Sequence, residues 1–152
     1  MENVKGIIEV LSETRKEIDS KIEKLNELKR EQIKILEKKL EEHKEVINWY
    51  IEQHLNFAHP VLEFHNSMGP ILGYKKDTQE VIFYHARKEG LFAQEVDESV
   101  MRPALWWDII DYGQFENAIK GFDYLLTLQN EHLTTVNNDI KRIEAEIQSS
   151  KK

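Results

Sequence analysis

The chain has 152 residues, of which 40% are hydrophobic and 32% charged, and its net charge is −7. This charge argues against general nucleic-acid binding, which depends on a basic face that displaces counterions. Without cysteine there are no disulfides, thiolate metal sites or thiol nucleophiles, and with no signal-type segment we expect a cytoplasmic protein. No apolar run reaches the ~20 residues that cross a bilayer, so no membrane association is expected.

Residues 1–56 predict one long coiled-coil helix. No proline occurs between Val4 and Leu55, and apolar residues recur at three- and four-residue spacing. This apolar seam contains Val4, Ile8, Leu11, Ile18, Ile22 and Leu25, then, after a shift, Leu28, Ile35, Leu36, Leu40, Ile47, Tyr50 and Leu55. Polar residues interrupt it at Arg15, Lys29, Gln32 and His43. Such interruptions usually set helix register and number.

Residues 57–113 predict a small α/β module that interrupts the helical pattern. Pro60 and the pair Gly69-Pro70 end the first helix. Three short strands follow, at Ile71–Lys75, Val81–Ala86 and Leu91–Val96, and then a short helix at Ala104–Asp111. A β-meander of this size is too small to be stable alone, so its apolar face must pack on the helices.

An acidic, aromatic surface in this module is the first candidate site, as a partner-binding face. Trp106 and Trp107 are adjacent in a predicted helix, so both cannot face inward. One of them is therefore a candidate for a partner surface, although ordinary packing is the alternative. With the neighbouring acids they form an expected protein-binding set: Trp106, Trp107, Asp108, Asp111 and Tyr112.

A basic group beside aromatic residues is the second candidate site. These residues lie at predicted strand ends and turns: Tyr74, Lys75, Lys76, His85, Arg87 and Lys88. Basic and aromatic side chains at loop tips can hold a small anionic, nucleotide-like ligand, particularly where two subunits meet. Exposed turn lysines without a ligand are the alternative reading.

Metal binding and catalysis find little support in the motifs. The histidines at 54, 59, 65 and 85 lack the i, i+3 or i+4 spacing of helical metal pairs, so no metal site is predicted. The serines and glycines match no nucleophile elbow or phosphate-binding loop. We therefore predict a protein that is not an enzyme and that needs no cofactor.

Residues 114–150 predict a second coiled-coil helix. Its apolar positions alternate between spacings of three and four without a break, with one polar member at Gln129. They are Phe115, Ile119, Phe122, Leu126, Gln129, Leu133, Val136, Ile140, Ile143 and Ile147. Gly121 is unusual within a helix and either permits a close approach of another element or is a tolerated surface residue.

Together these patterns predict a mainly α (α+β) fold. It is a long antiparallel coiled-coil helical hairpin with a small three-stranded β-meander and a short helix inserted at the tip. The first helix is longer than the second, so part of its apolar seam has no partner in the hairpin. This predicts a homo-oligomer, a dimer or higher. Helix pairing within one chain and between chains would satisfy the seams equally. We expect an adaptor or inhibitor that docks on a larger cytosolic protein through the tip module. The alternatives are a protein that sequesters or senses a small anionic ligand at a subunit interface, and a structural assembly component that works through its helices.

Overall fold

A single long helix, α1, is the element on which the small module packs. In a computed structural model, which describes residues 2–151, α1 covers Glu2–Glu52 without interruption. Its length is ~75 Å at 1.5 Å per residue. The expected long N-terminal helix and the mainly helical fold with antiparallel sheet are confirmed.

The module after α1 contains two antiparallel sheets. A two-stranded sheet pairs β1 with β2, and a four-stranded sheet has the order β3-β4-β5-β6. The fourth strand was not predicted, because three residues containing a proline give no alternating pattern. The bounds are β1 Phe57–Ala58, β2 His65–Asn66, β3 Ile71–Lys75, β4 Glu80–His85, β5 Gly90–Glu95 and β6 Met101–Pro103.

The C-terminal part consists of separate helices. The bounds are α2 Trp106–Asp111, α3 Phe115–Asp123, a 3₁₀ turn at Tyr124–Leu126 and α4 Leu128–Ser150. The uninterrupted helix expected from residue 114 is therefore wrong: the 3₁₀ turn and Thr127 divide it. The heptad pattern runs across this break because α3 and α4 each have an apolar face. The face of α3 is buried in the core, whereas the face of α4 is exposed.

The core lies between one face of the four-stranded sheet, α3 and the C-terminal half of α1. α1 contributes residues such as Leu36, Ile47 and Tyr50, all almost fully buried. The sheet contributes Leu72 and Ile82 from β3 and β4. α2 and α3 complete the same cluster with Ile109, Ile110, Ala118 and Phe122. The apolar spacing of α1 after residue 33 thus belongs to a globular core.

The two long helices do not form the expected hairpin within the described chain. None of the residues of α4, Leu128–Ser150, is buried, and its seam residues from Leu133 to Ile147 are exposed. The α1 seam residues from Val4 to Leu28 are exposed as well. The chain from the end of α2 to the end of α3 runs in the same direction as α1, since Lys29 binds Asp111 of α2 and Lys39 binds Asp123 of α3. α4 therefore begins at the C-terminal end of α1, where the Tyr50 hydroxyl donates to the Leu125 carbonyl.

Gly121 lets α3 approach the sheet closely. A Cβ atom built on Gly121 would lie 2.1 Å from the carbonyl oxygen of Ile71 in β3. No real Cβ is found at that separation, so any larger residue must push α3 away from β3. Of the two readings of Gly121, the close approach is the one that the fold uses.

His59 fixes the start of the segment that connects β1 and β2. Its Nε2 donates to the carbonyl oxygen of Asn117 at 2.7 Å, and its Nδ1 accepts from the backbone N–H groups of Val61 and Leu62. This pattern requires the neutral imidazole. Burial, together with nearby Lys120, lowers the pKa of His59 against the opposing effect of the Asn117 carbonyl.

We predict that Gly121→Ala lowers the free energy of unfolding by about 2–3 kcal/mol, because the added methyl group collides with backbone. Gly6→Ala is the matched control, since nothing lies within 4 Å of a Cβ at that exposed helical position. The control should leave stability unchanged or raise it by up to ~1 kcal/mol. Urea denaturation measures both, and equal effects would contradict the close packing of α3 on β3.

We predict that stability falls with acidity in a way that depends on His59. Because its pKa is lowered in the folded state, the unfolded chain binds the proton first as the pH drops below ~6.5. The free energy of unfolding should therefore be constant near neutrality and decline towards pH ~5. The decline should be smaller in His59→Gln and unchanged in His65→Gln, an exposed histidine. Denaturation at several pH values tests this, and identical profiles for both variants would refute it.

Candidate functional site

The two adjacent tryptophans of α2 have different surroundings. Trp106 packs against the core cluster, whereas Trp107 is half-buried outside that set. Next to them, Leu105 is 66% exposed and Tyr112 is 39% exposed. Of the two tryptophans, Trp107 is therefore the candidate for a partner surface, with Leu105 and Tyr112 as apolar neighbours in sequence.

The acids of α2 are engaged inside the molecule. Asp108 Oδ2 accepts the backbone N–H of Leu105 at 2.8 Å, and Oδ1 lies 3.5 Å from the Lys75 ammonium. Asp111 Oδ1 accepts from Lys29 Nζ at 3.0 Å, which ties α2 to α1. Both carboxylates thus stabilise the position of α2. Capping of a helix end by these acids was one sequence-based interpretation, whereas their ion pairs with Lys75 and Lys29 were not predicted.

Lys75 is a buried cation within this set. It is only 5% exposed, at the end of β3. Its Nζ lies 4.3 Å from the centre of the Tyr112 ring, in addition to its contact with Asp108. The Tyr112 hydroxyl donates in turn to Asp77. Aromatic and carboxylate contacts together compensate the desolvation of the ammonium group.

The structure separates the basic group that was expected to hold an anion. Lys75 and Lys76 lie at the β3–β4 turn, whereas Arg87 and Lys88 lie at the β4–β5 turn. These turns are at opposite ends of β4, ~17 Å apart at the rise of a strand. The Tyr74 ring lies beside the first turn and contacts Phe64 in a tilted arrangement, with 5.1 Å between ring centres. The six candidates therefore do not form one site within a chain.

The second turn does border a cavity. A space of about 280 Å³ lies between the end of α1, the segment after β2 and the β4–β5 turn. Its polar lining comprises His54, Ser67, His85 and Arg87, and its apolar lining comprises Ile51, Leu55 and Met68. His54 lies in the turn just after α1 and has a left-handed backbone, with a φ of 56°. Sequence reasoning included His85 and Arg87 but missed His54, Ser67 and Met68, which no local spacing links to them.

His85 is the buried polar group of this cavity. Its Nδ1 accepts the backbone N–H of Lys88 at 3.2 Å, which leaves the proton of the neutral ring on Nε2. Burial, and then the charges of Lys88 and Arg87, lower the pKa of His85. A neutral imidazole donor and an exposed guanidinium beside an apolar floor suit a small anion with an apolar part.

An ion pair that the sequence did not indicate lies at the end of the sheet opposite the β4–β5 turn. Arg102 in β6 donates to both carboxylate oxygens of Glu80 in β4, at 2.7 and 2.8 Å. Its hydrogen bonds are the main cause that lowers the pKa of Glu80 to about 2. The pair links the edge strand β6 to β4 across β5, so we assign it a structural role.

Residues 2–151 contain neither a cluster of metal-binding side chains nor a membrane-spanning helix. Within that range, no three His, Asp or Glu side chains stand close enough to hold a metal ion together. None of the helices there has the length and apolar character to cross a membrane.

We predict that Lys75 and Lys76, although adjacent, contribute very differently to stability. Lys75→Ala removes the partner of Asp108 and opens a gap under Tyr112, so it should lower the free energy of unfolding by about 2 kcal/mol. Lys76→Ala removes an exposed side chain and should change it by less than ~0.5 kcal/mol. Chemical denaturation compares them, and a Lys75→Ala variant as stable as the wild type would contradict the buried pairing.

Comparisons with known proteins do not identify the chain: no family model, no curated protein and no solved structure matches it.

Proposed function

We propose that the chain is a non-enzymatic, oligomeric interaction protein, an adaptor or an inhibitor. It assembles through its long helices and presents its module to a larger cytosolic protein. One observation carries this proposal: apolar seams on both α1 and α4 lie exposed in the single chain. They comprise Val4, Ile8, Leu11, Ile18, Ile22 and Leu25 on α1 and Leu133, Val136, Ile140, Ile143 and Ile147 on α4.

The energetics of these seams favour association. Burying an aliphatic side chain of this size is worth roughly 1.5–3 kcal/mol when complete. In proteins, most of the stability of a helix comes from the packing of its apolar face rather than from its intrinsic propensity. A second helix that covers either seam therefore stabilises the helix itself as well as the contact.

The module supplies the surface for a larger partner. Asp108 and Asp111 serve mainly to hold α2 in place through Lys75 and Lys29. Trp107, Leu105 and Tyr112 remain as the exposed or half-exposed apolar side chains of the same region. Aromatic side chains dominate the binding energy of many protein interfaces, which supports docking through this face.

A ligand-binding protein is the second candidate function, favoured by the cavity at the end of α1. Its polar residues are His54, Ser67, His85 and Arg87. Only Arg87 and His85 of the expected basic group take part, so the ligand would be a small anion held at one end of the sheet. Lys75 and Lys76 have no part in this version.

We predict that native mass spectrometry of gently purified protein gives an oligomer, with a mass of twice 18.0 kDa or a higher multiple. The double variant Ile140→Glu/Ile143→Glu should be a monomer with a folded module, since charges within the seam prevent helix pairing. Thr134→Glu/Asn138→Glu is the control: it adds the same charge to α4 outside the seam and should keep the oligomer.

The same spectra separate the candidate functions. An extra mass of a few hundred daltons that is lost in Arg87→Ala would favour the ligand-binding function over the interaction function. A second protein retained by the wild type and lost from Trp107→Ala would support docking through the module. A wild-type monomer would contradict the proposal.

A further inference from the structure

We infer that the exposed part of α1 pairs with α4 of a second copy, antiparallel and reciprocally, in a two-fold symmetric dimer. This inference rests on the proposed oligomeric function and specifies which helices meet. It assigns each seam one occupant, namely the other seam of an identical chain.

The two exposed seams agree in length. α1 has no buried residue between positions 3 and 28, a stretch of ~38 Å, and α4 covers Leu128–Ser150, ~35 Å. Each seam follows the alternating spacing of three and four residues that characterises helix pairs. Two helices that differ in sequence thus offer faces of matching size and kind.

The module keeps these seams apart within one chain. It is attached along α1 from Lys29, which binds Asp111, to Tyr50, which binds Leu125. That section of α1 is ~32 Å long. The α1 seam precedes it and α4 starts at its far end, so α4 does not cover the α1 seam of its own chain.

Two-fold symmetry brings the seams of two chains together. When two modules lie side by side with their α1 helices antiparallel, the start of the partner's α4 comes next to Leu28. Provided that α4 continues beyond the end of its own α1, the partner's α4 then runs back along the exposed part of α1. Matching the ends of the two seams places Ile18 opposite Ile140, and the same contact occurs twice in the dimer.

Charges beside the seams favour this mixed pairing over pairing of α4 with α4. Lys21 borders the α1 seam and comes beside Asp139, while Arg15 comes beside Glu144. On the α1 side, Asp19 already binds Arg15 at 3.4 Å. Pairing of α4 with α4 would bring the acids of both copies together, although Arg142 partly neutralises Asp139. Like charges at such flanking positions oppose pairing.

Cysteine cross-linking tests the pairing directly, because the chain has no cysteine of its own. Ile18→Cys and Ile140→Cys are made singly, and the two single variants are co-expressed. After oxidation we expect a disulfide-linked dimer of twice 18.0 kDa from the co-expressed pair, and none from either variant alone. In the double variant, both links should form between chains.

Other outcomes overturn the inference in distinguishable ways. A dimer linked by Ile18→Cys alone would indicate α1–α1 pairing, and one linked by Ile140→Cys alone would indicate α4–α4 pairing. A double variant oxidised to an 18.0 kDa monomer would indicate a hairpin within the chain. Those results refute this pairing, but a native oligomer leaves the proposed function standing. A native monomer without links refutes both.

Charge exchange checks the register independently of oxidation. Lys21→Glu should weaken the dimer about tenfold, because two attractive contacts become repulsive. Adding Asp139→Lys to that variant should restore the affinity. Lys16→Glu, on the exposed helix away from Lys21, is the control and should have a smaller effect that Asp139→Lys does not reverse. Absence of rescue would contradict the register.

Discussion

The fold depends on α1 being much longer than the module that packs on it. Its C-terminal half is the surface against which the sheet, α2 and α3 assemble, with Leu36, Ile47 and Tyr50 in the core. Its N-terminal half has the same apolar periodicity but no partner among the residues that the structure describes. Because α1 is one continuous helix, the contacts of Lys29 and Tyr50 with the module fix the position of the α1 seam and of the start of α4 relative to the module.

Much of this architecture follows from periodicity. α1 and the first three strands of the larger sheet were predicted within a few residues, because long amphipathic helices and alternating strands have strong local patterns. The division between α3 and α4 was missed, since the heptad continues from Phe122 through Gln129 although the neighbours change. Phe122 is buried in the core, whereas Leu126 is 60% exposed. Periodicity reports that a face is apolar and cannot report what covers it.

The candidate sites show the same limit of local pattern. That only one of Trp106 and Trp107 packs inward follows from helical geometry, but which one depends on tertiary packing. The burial of Lys75 by Tyr112 depends on how α2 lies against β3, a contact between residues distant in sequence. The turns that hold Lys76 and Arg87 share a strand, so the meander itself implied their separation. The cavity of His54, Ser67 and His85 joins three segments and has no signature within any one of them.

Hydrogen exchange of the backbone amides tests most directly whether the exposed seams are covered in solution. At micromolar concentration, the account predicts slow exchange in residues 4–28 and in residues 133–147, because helix pairing closes both segments together. Dilution below the dissociation constant should release both segments in parallel while β3–β5 stay protected. Fast exchange in both segments at every concentration would contradict the account, since it would mean that no second helix lies on either seam.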